Sequence, residues 1–318
     1  MAVFHNLKNL PDSARGAVVA IGNFDGVHRG HQAVIATARK VAEDLKAPLA
    51  VLSFEPHPRL FFKPEQESFR LTPVVAKARA LQKTGIDHVF LQAFTEEFAA
   101  LSAEDFIQEV LVGQLGACHL VVGADFCFGK GRSGNVEVLE QSGKRLGFGV
   151  TGAGAVLDES GEVLSSSRVR QFLRDGKPRE AAAILGRCWE IDGPVIRGFE
   201  RGRTIGFPTA NLSMSDYLTP ALGVYAVRVA KAGLIEGTGL TYWYDAVANI
   251  GRRPTVKGEG INLEVFIFDF DEDLYGTDLR VQVVDFLRPE MKFDGLDELK
   301  AQIARDCEAA RAELAKMK

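Results

Sequence analysis

The sequence predicts two folds in tandem: a doubly wound α/β domain built on a parallel sheet, then a smaller antiparallel β domain that ends in a helix. Three features carry this expectation. Up to Thr151, short apolar runs alternate with helical patterns at about thirty residues per unit, the rhythm of strand–helix–strand crossovers. Beyond Trp189 the texture changes to short β-rich segments broken by turn residues, without long helices between them. From Gly295 the chain finishes on one amphipathic helix. At 318 residues, 46% hydrophobic and 25% charged, it is long enough to bury two ordinary cores.

The elements follow in order. Ala17-Val18-Val19-Ala20-Ile21 is an apolar run ended by glycine and reads as a buried strand. From His31 onward Val34, Ile35, Ala38, Val41, Ala42 and Leu45 recur at helical spacing. Further strands are expected at Leu49–Phe54, His88–Leu91, His119–Val122 and Gly147–Thr151, with helices around Val74–Lys83 and Ala103–Leu115. After Ser165 come two short helical pieces, Arg168–Arg174 and Pro178–Leu185, split by Asp175-Gly176-Lys177, and the boundary is placed there: domains 1–186 and 187–318. Strands at Val224–Ala230, Ala246–Ile250, Leu263–Phe270 and Leu279–Leu287 suggest an antiparallel barrel or sandwich. In the last helix Leu296, Leu299, Ile303 and Cys307 form the buried stripe, while Lys300, Arg305 and Glu308 face water.

A net charge of −4 argues against a general nucleic-acid or acidic-membrane surface, which needs clustered positive charge. Residues 1–16 lack the apolar core of a signal peptide, and no apolar run approaches the roughly 20 residues of a membrane span, so a cytoplasmic chain is expected. Cys118, Cys127, Cys188 and Cys307 are scattered without a CxxC pair, which suggests reduced thiols rather than a zinc site or a disulfide framework.

The chemistry concentrates in Gly22-Asn23-Phe24-Asp25-Gly26-Val27-His28-Arg29-Gly30-His31, a glycine-rich turn between the first strand and its helix. Such a turn lies at the carboxyl end of a parallel strand, where the helix aims its free N–H groups and positive dipole end at a ligand. His28 and His31, three residues apart, can each give a ring N–H to a phosphate oxygen, and Gly30 removes a side chain where a phosphate comes close. Taken alone, a histidine at a helix start reads as a cap or a surface residue. The whole string behind a strand points to attack on the α-phosphate of a nucleoside triphosphate, where preorganised donors do most of the work. Phe54-Glu55-Pro56-His57-Pro58 ends the second strand and opens onto the same crevice, or is simply a rigid exit with a solvent histidine. Residues 123–134, GADFCFGKGRSG, form a glycine-rich loop with two cations; it lacks the Gly-Lys-Ser/Thr ending of a Walker A loop and also reads as a flexible surface loop. Ser165-Ser166-Ser167-Arg168-Val169-Arg170 opens a helix with hydroxyls for a cap or a phosphate and a guanidinium to clamp one.

Together GNFDGVHRGH, FEPHP, GADFCFGKGRSGN and SSSRVR, in this order, resemble the adenylyltransferase module of the bacterial bifunctional riboflavin kinase/FAD synthetases, a Rossmann-like nucleotidyltransferase. The resemblance makes His28 and His31 donors to the ATP phosphates, and Gly22, Phe24, Gly26 and Asp125 nucleotide contacts. It makes Ser166, Ser167 and Arg170 the clamp on the triphosphate, with Arg170 counted beside the histidines as catalytic. It puts Pro56, His57, Pro58, Phe62 and Phe128 on the flavin side.

In the second domain, residues 197–211, RGFERGRTIGFPTAN, combine glycines, cations and two small oxygen-bearing side chains, Thr209 and Asn211, which can share a hard cation such as Mg²⁺; the bland reading is a turn. Along Leu263–Phe270, Leu263, Val265 and Ile267 take one face and Glu264, Phe266, Phe268 and Phe270 the other. A carboxylate among aromatics is desolvated toward a raised pKa, one way to make a base for an alcohol, unless it reaches the strand's open end or pairs with an arginine. These features, with Asn249-Ile250-Gly251-Arg252-Arg253-Pro254-Thr255 and Asp273-Leu274-Tyr275-Gly276, resemble the riboflavin kinase module of the same family, a small antiparallel β-barrel with a C-terminal helix. That resemblance assigns Glu264 as base, Thr209 and Asn211 to Mg²⁺ and ATP, and Gly202 and Arg203 to ATP. Asn249, Gly251, Arg252, Pro254 and Thr255 then form the flavin wall. Phe266 and Arg197 stand where many members carry histidine.

The resemblance implies a two-step flavin enzyme: riboflavin and MgATP give FMN in the second domain, and FMN and ATP give FAD and pyrophosphate in the first. Its partners are then riboflavin, FMN, FAD and ATP, with Mg²⁺ accompanying ATP, no tightly held organic cofactor, no nucleic acid and no membrane. An enzyme with one live half, or a flavin-sensing binding protein, are the rival classes; a sensor has no need of Glu264 or Asn211, and both are present.

Overall fold

In the computed structural model, which describes residues 1–64, 68–197, 206–232, 242–255 and 258–317, the chain divides into two compact units. One holds residues 1–66 and 77–165, the other residues 67–76 and 166–318.

The first unit is built on β1 (Ala2–Phe4), β2 (Val18–Ile21), β3 (Leu49–Glu55), β4 (His88–Ala93), β5 (His119–Gly123) and β6 (Gly149–Ala153). They lie in the order β1-β4-β3-β2-β5-β6, every pairing parallel. All four residues of β2 are buried, as a central strand covered on both faces requires. From β2 the chain fills one side of the sheet through β3 and β4, then crosses to β5 and β6, so the direction switches beside the exit of β2. The helices are α1 (Arg29–Leu45), α2 (Pro58–Phe62), α3 (Val74–Gln82), α4 (Glu96–Ala99), α5 (Ala103–Asp105, continued as a π-helix over Phe106–Gln114) and α6 (Val136–Leu146). α1 turns Ile35, Ala38 and Ala42 inward and ends at Lys46 in the left-handed region. β1, α2, α4 and α6 have no counterpart in the sequence reading, and the last strand of this unit begins two residues later than expected, because Gly147 caps α6 with φ 86°.

The second unit opens with α7 (Ser166–Arg174) and α8 (Pro178–Leu185). Six antiparallel strands follow: β7 (Trp189–Pro194), β8 (Ala210–Ser213), β9 (Gly223–Lys231), β10 (Tyr244–Thr255), β11 (Gly258–Ile267) and β12 (Asp278–Pro289), in the order β7-β12-β9-β10-β11-β8. Just past β7 the Ile196 N–H donates to the Asn211 carbonyl at 2.9 Å, and this bridge to β8 draws the outermost strands together into a nearly closed barrel. The barrel, not the sandwich, is the outcome. Ile191, Val281, Val229, Ala246, Val265 and Leu263 line its interior, and α9 (Leu296–Ala315) covers Val224, Ala226, Val247 and Val284 on the outside with Ala310 and Leu314.

Two expectations are corrected here. Leu296 is exposed, Leu299, Ile303 and Cys307 are half-buried, and the residues of α9 that are fully buried are Asp306, Ala310 and Leu314. Arg288 makes that possible, donating from Nε and Nη2 to the Asp306 carboxylate at 2.8 and 2.7 Å while Gln302 adds a third bond at 2.8 Å. In β11 the alternation runs through Phe268, whose N–H still donates to the Asp245 carbonyl at 3.0 Å, and ends at Asp269, which takes φ 56° and turns the chain. Phe266 and Phe268 keep to one face, their rings 5.9 Å apart against the cluster under α9, while Phe270, past the turn, packs against Tyr244 and leaves that face. All four cysteines are free, and burial pushes the Cys118 and Cys188 thiols up and that of Cys307 to about 11.

Candidate active sites

In the first unit the exit of β2 runs into a tight connection in which Phe24 (φ 49°), Gly26 (φ 86°) and Val27 (φ 42°) all adopt left-handed backbone. For a β-branched residue such as Val27 this is strained, and the surroundings must impose it. The Gln32 side chain donates to the Val27 carbonyl at 2.9 Å, the Val27 N–H to the Phe24 carbonyl at 3.2 Å, and Ser53 Oγ to the Asn23 carbonyl at 3.1 Å. Phe24, Asp25, Val27 and His28 are buried.

His28 is the N-cap of α1, its Nδ1 accepting from the His31 backbone N–H at 3.3 Å. The neutral ring that accepts at Nδ1 carries its proton on Nε2, so the cap also fixes which nitrogen can donate. The two imidazoles stack, centroids 3.6 Å apart and planes 23° off parallel, with the Phe24 ring 5.2 Å from that of His31. The cap thus occupies Nδ1, one of the two ring nitrogens. A Cβ at Gly30 would meet His28 Cε1 at 2.9 Å and the Leu164 carbonyl at 3.1 Å, so glycine there leaves room for the histidine ring.

Glu55 ends β3, and Pro56 follows through a cis peptide bond. His57 caps α2, its Nδ1 accepting from the Arg59 N–H at 3.1 Å, and Pro58 opens that helix. Phe62, 65% exposed, begins a chain of ring contacts through Phe94, Phe98 and Phe106 to Phe128, with successive centroids 5.3 to 5.8 Å apart. Phe128 is buried in the core. Asp125 is exposed at the turn after β5. The histidine pair, the Pro56–Phe62 segment and Asp125 therefore leave one edge of the sheet, the carboxyl ends of β2, β3 and β5.

Ser166, Ser167 and Arg170 belong to the second unit. Ser166 and Ser167 start α7, and Arg170 is buried with Nε donating to the Phe69 carbonyl at 2.8 Å and its guanidinium 5.0 Å from the Phe69 ring centre. That side chain is anchored on Phe69.

On the barrel, register does what spacing cannot. Glu264 of β11 pairs with Asn249 of β10 on one side and with Asn211 of β8 on the other. Paired residues of antiparallel strands share a face, so the three side chains form one row on the barrel's outer surface at about 4.8 Å strand spacing. Asn211 is buried, and its Nδ2 donates to the Thr209 carbonyl at 3.2 Å, which leaves Oδ1 as the atom offered to a hard cation together with the Thr209 hydroxyl. Among the described residues no cluster of three or more His, Cys, Asp or Glu gathers as a metal site. A Cβ on Gly251 would collide with Glu290 Oε1 and stand 3.0 Å from Asn249 Nδ2, so Glu290 reaches the same row. Arg252 is exposed. Pro254 and Thr255 lie at the end of β10, where their side chains fall outside the described residues, as do Gly202 and Arg203 altogether.

Sequence reasoning missed Glu290 and Ser53. A serine inside the apolar run Leu49-Ala50-Val51-Leu52-Ser53-Phe54 was a signal for the second; Glu290 carried none.

A FAD synthetase family model matches residues 10–168, and a riboflavin kinase family model matches residues 185–314. The bifunctional riboflavin kinase/FMN adenylyltransferase of Escherichia coli K12 is 43% identical over 307 residues, covering 96% of this chain and 95% of that protein. The protein of the same description from Bacillus subtilis 168 is 36% identical over 301 residues, 92% of this chain and 91% of its own. A Streptococcus pneumoniae crystal structure described as a macrolide-efflux protein superposes with a TM-score of 0.83 at 33% identity, covering 97% of this chain and 98% of that one. Among the described residues, no helix here is long and apolar enough to cross a membrane.

Proposed function

The chain belongs to the bifunctional riboflavin kinase/FMN adenylyltransferase family, and from that premise we propose how its residues divide the two reactions. It phosphorylates riboflavin to FMN and adenylylates FMN to FAD. The kinase is assigned to 187–318 and the adenylyltransferase to 1–186, a division supported by the limits of the two family matches.

In the kinase reaction the 5′-hydroxyl of riboflavin attacks the γ-phosphorus of ATP; the new O–P bond forms as the bond to the β-phosphate oxygen breaks, and ADP departs. Glu264 takes the hydroxyl proton, and the row it forms with Asn211 and Asn249 is the observation that carries this reading. Thr209 and Asn211 would hold Mg²⁺, whose charge would offset that of the phosphates. Gly202 and Arg203 complete the ATP side, and Gly251, Arg252, Pro254 and Thr255 the flavin side.

In the adenylyl transfer an oxygen of the FMN phosphate attacks the α-phosphorus of ATP and pyrophosphate leaves. His28 and His31 donate to oxygens whose charge grows in that step, supported by the cap that keeps the His28 proton on Nε2. Gly22, Phe24, Gly26 and Asp125 hold the nucleotide, and Ser166, Ser167 and Arg170 clamp the triphosphate. Pro56, His57, Pro58, Phe62 and Phe128 form the flavin side, where exposed Phe62 supplies ring surface. The reading assigns the chain to the cytoplasm, supported by its four free cysteines.

The test follows riboflavin, FMN and FAD by chromatography in reactions with ATP and Mg²⁺. His28→Ala abolishes FAD formation and spares FMN formation; Glu264→Gln does the reverse. Loss of both activities in both variants, with the fold intact, would falsify the assignment.

A further inference from the structure

Lys77 stands on α3 with 3% of its side chain exposed, outside every motif considered above. Its Nζ donates to Ser53 Oγ at 3.2 Å, and Ser53, fully buried, donates onward to the Asn23 carbonyl at 3.1 Å. The Glu55 carboxylate lies 4.0 Å from the same Nζ. A lysine is rarely buried this completely, because leaving water costs more than an apolar residue at the same place would, so its polar contacts must account for it. Those contacts join two strand exits. Asn23 begins the left-handed connection that ends at His28, and Glu55 is the last residue before the Pro56–Phe62 segment.

We propose that Lys77 is a positioning residue for adenylyl transfer. Through Ser53 it fixes the carbonyl from which the His28–His31 turn departs, and through Glu55 it sets the neighbouring exit that leads to His57. The inference rests on the reading of that turn as the site of FMN adenylylation. Lys77 acts through the backbone and touches no reacting atom, so its loss changes the placement of the histidines rather than the chemistry they offer.

Lys77→Met keeps the length and removes the donor, and Ser53→Ala cuts the link to Asn23 while leaving Lys77 beside Glu55. Both are made in the full chain and assayed for FAD formation from FMN, with FMN formation from riboflavin as the internal control and thermal unfolding alongside. Each lowers kcat for FAD formation by about tenfold or more and leaves KM for ATP within about threefold, the pattern of misplaced reacting groups. FMN formation stays within about twofold of the parent, since its residues lie elsewhere. The double variant is no slower than Lys77→Met alone because both act on one relay, and Lys77→Arg recovers part of the rate. A parental kcat in either variant, losses that multiply in the double, or equal loss of both activities overturns the proposal. Should Lys77→Met fail to fold, Ser53→Ala decides by the same criteria. His28→Ala is run in parallel. If it keeps FAD formation, the site reading fails and this proposal with it; if it abolishes FAD formation while the Ser53 and Lys77 variants run at the parental rate, only the positioning role is lost.

Discussion

Replacing Gly30 by alanine separates stability from activity at the histidine pair. The added methyl would sit 2.9 Å from His28 Cε1, 3.0 Å from Nδ1 and 3.1 Å from the Leu164 carbonyl, and of these the imidazole has more freedom to move than the backbone. When it moves, the 3.3 Å bond from the His31 N–H is lost, an N-cap contribution of about 1 kcal/mol. Against this, alanine is favoured over glycine inside a helix by about 0.5–1 kcal/mol. The two nearly offset each other. A net change within about 1 kcal/mol shifts the thermal midpoint of a unit this size by roughly 2–4 °C at most. Activity has no such compensation: a displaced His28 also loses its stacking on His31 at 3.6 Å, and a misplacement of about 1 Å costs on the order of 100-fold in rate. The assay compares FAD formation from FMN, FMN formation from riboflavin, and the melting curve in one preparation. FAD formation should fall about 100-fold while the other two hold. A variant that makes FAD at the parental rate shows that the ring position imposed at Gly30 plays no part in adenylyl transfer, and the reasoning fails.

Other outcomes follow from the same geometry. Gly251→Ala pushes Glu290 and Asn249 away from the Glu264 row, so riboflavin phosphorylation should drop about tenfold or more while FAD formation from supplied FMN continues; unchanged kinetics would detach Glu290 from the site. Burial holds the His119 pKa below its ordinary value of about 6.5. The unfolded chain therefore binds a proton that the folded chain refuses, and this contribution to stability is complete above pH 6.5 and fades as pH falls through the folded value. His119→Gln, which can still bond Thr151 at the 2.8 Å site, should flatten the unfolding midpoint between pH 7 and 5, and an unaltered pH profile would rule the histidine out. Gly149→Ala drives a Cβ into that same ring, with Cε1 at 2.6 Å, and should cost about 1–3 kcal/mol in denaturant unfolding.

The first sheet was readable because its strands are continuous apolar runs, the mark of strands covered on both faces. β1 was not, since three residues at an edge carry no periodicity, and neither was β8, four residues long and interrupted by the buried Asn211. The inward-turned Asp306 escaped for a related reason: its partner Arg288 lies on another element, and polarity alone marks such a position as surface. For the sites, the sequence supplied the residue types and the fold supplied their company. Nothing in the spacing of Asn211, Asn249 and Glu264 shows that three strands bring them into one row, and nothing in the helix pattern around Lys77 shows that it points at the exit of β3. Glu264 was expected among aromatics; two of its neighbours are amides instead, because register across strands outranks alternation along one.

Residues 67–76 fold with the second unit although eighty-nine residues of the first separate them from its remainder. The bonds are specific: the buried Trp189 indole N–H donates to the Leu71 carbonyl, the Leu218 N–H to the Arg70 carbonyl and Arg170 to that of Phe69, each at 2.8 Å. Cutting the chain between 186 and 187 would strip the downstream fragment of the Leu71 and Arg70 carbonyls and leave the Trp189 indole N–H buried without an acceptor, at about 1–3 kcal/mol. Limited proteolysis should meet the same obstacle, since one nick frees neither half of its partner's thread. A point mutation can be confined to one unit, whereas a single cut at 186/187 cannot, because the polypeptide is interleaved.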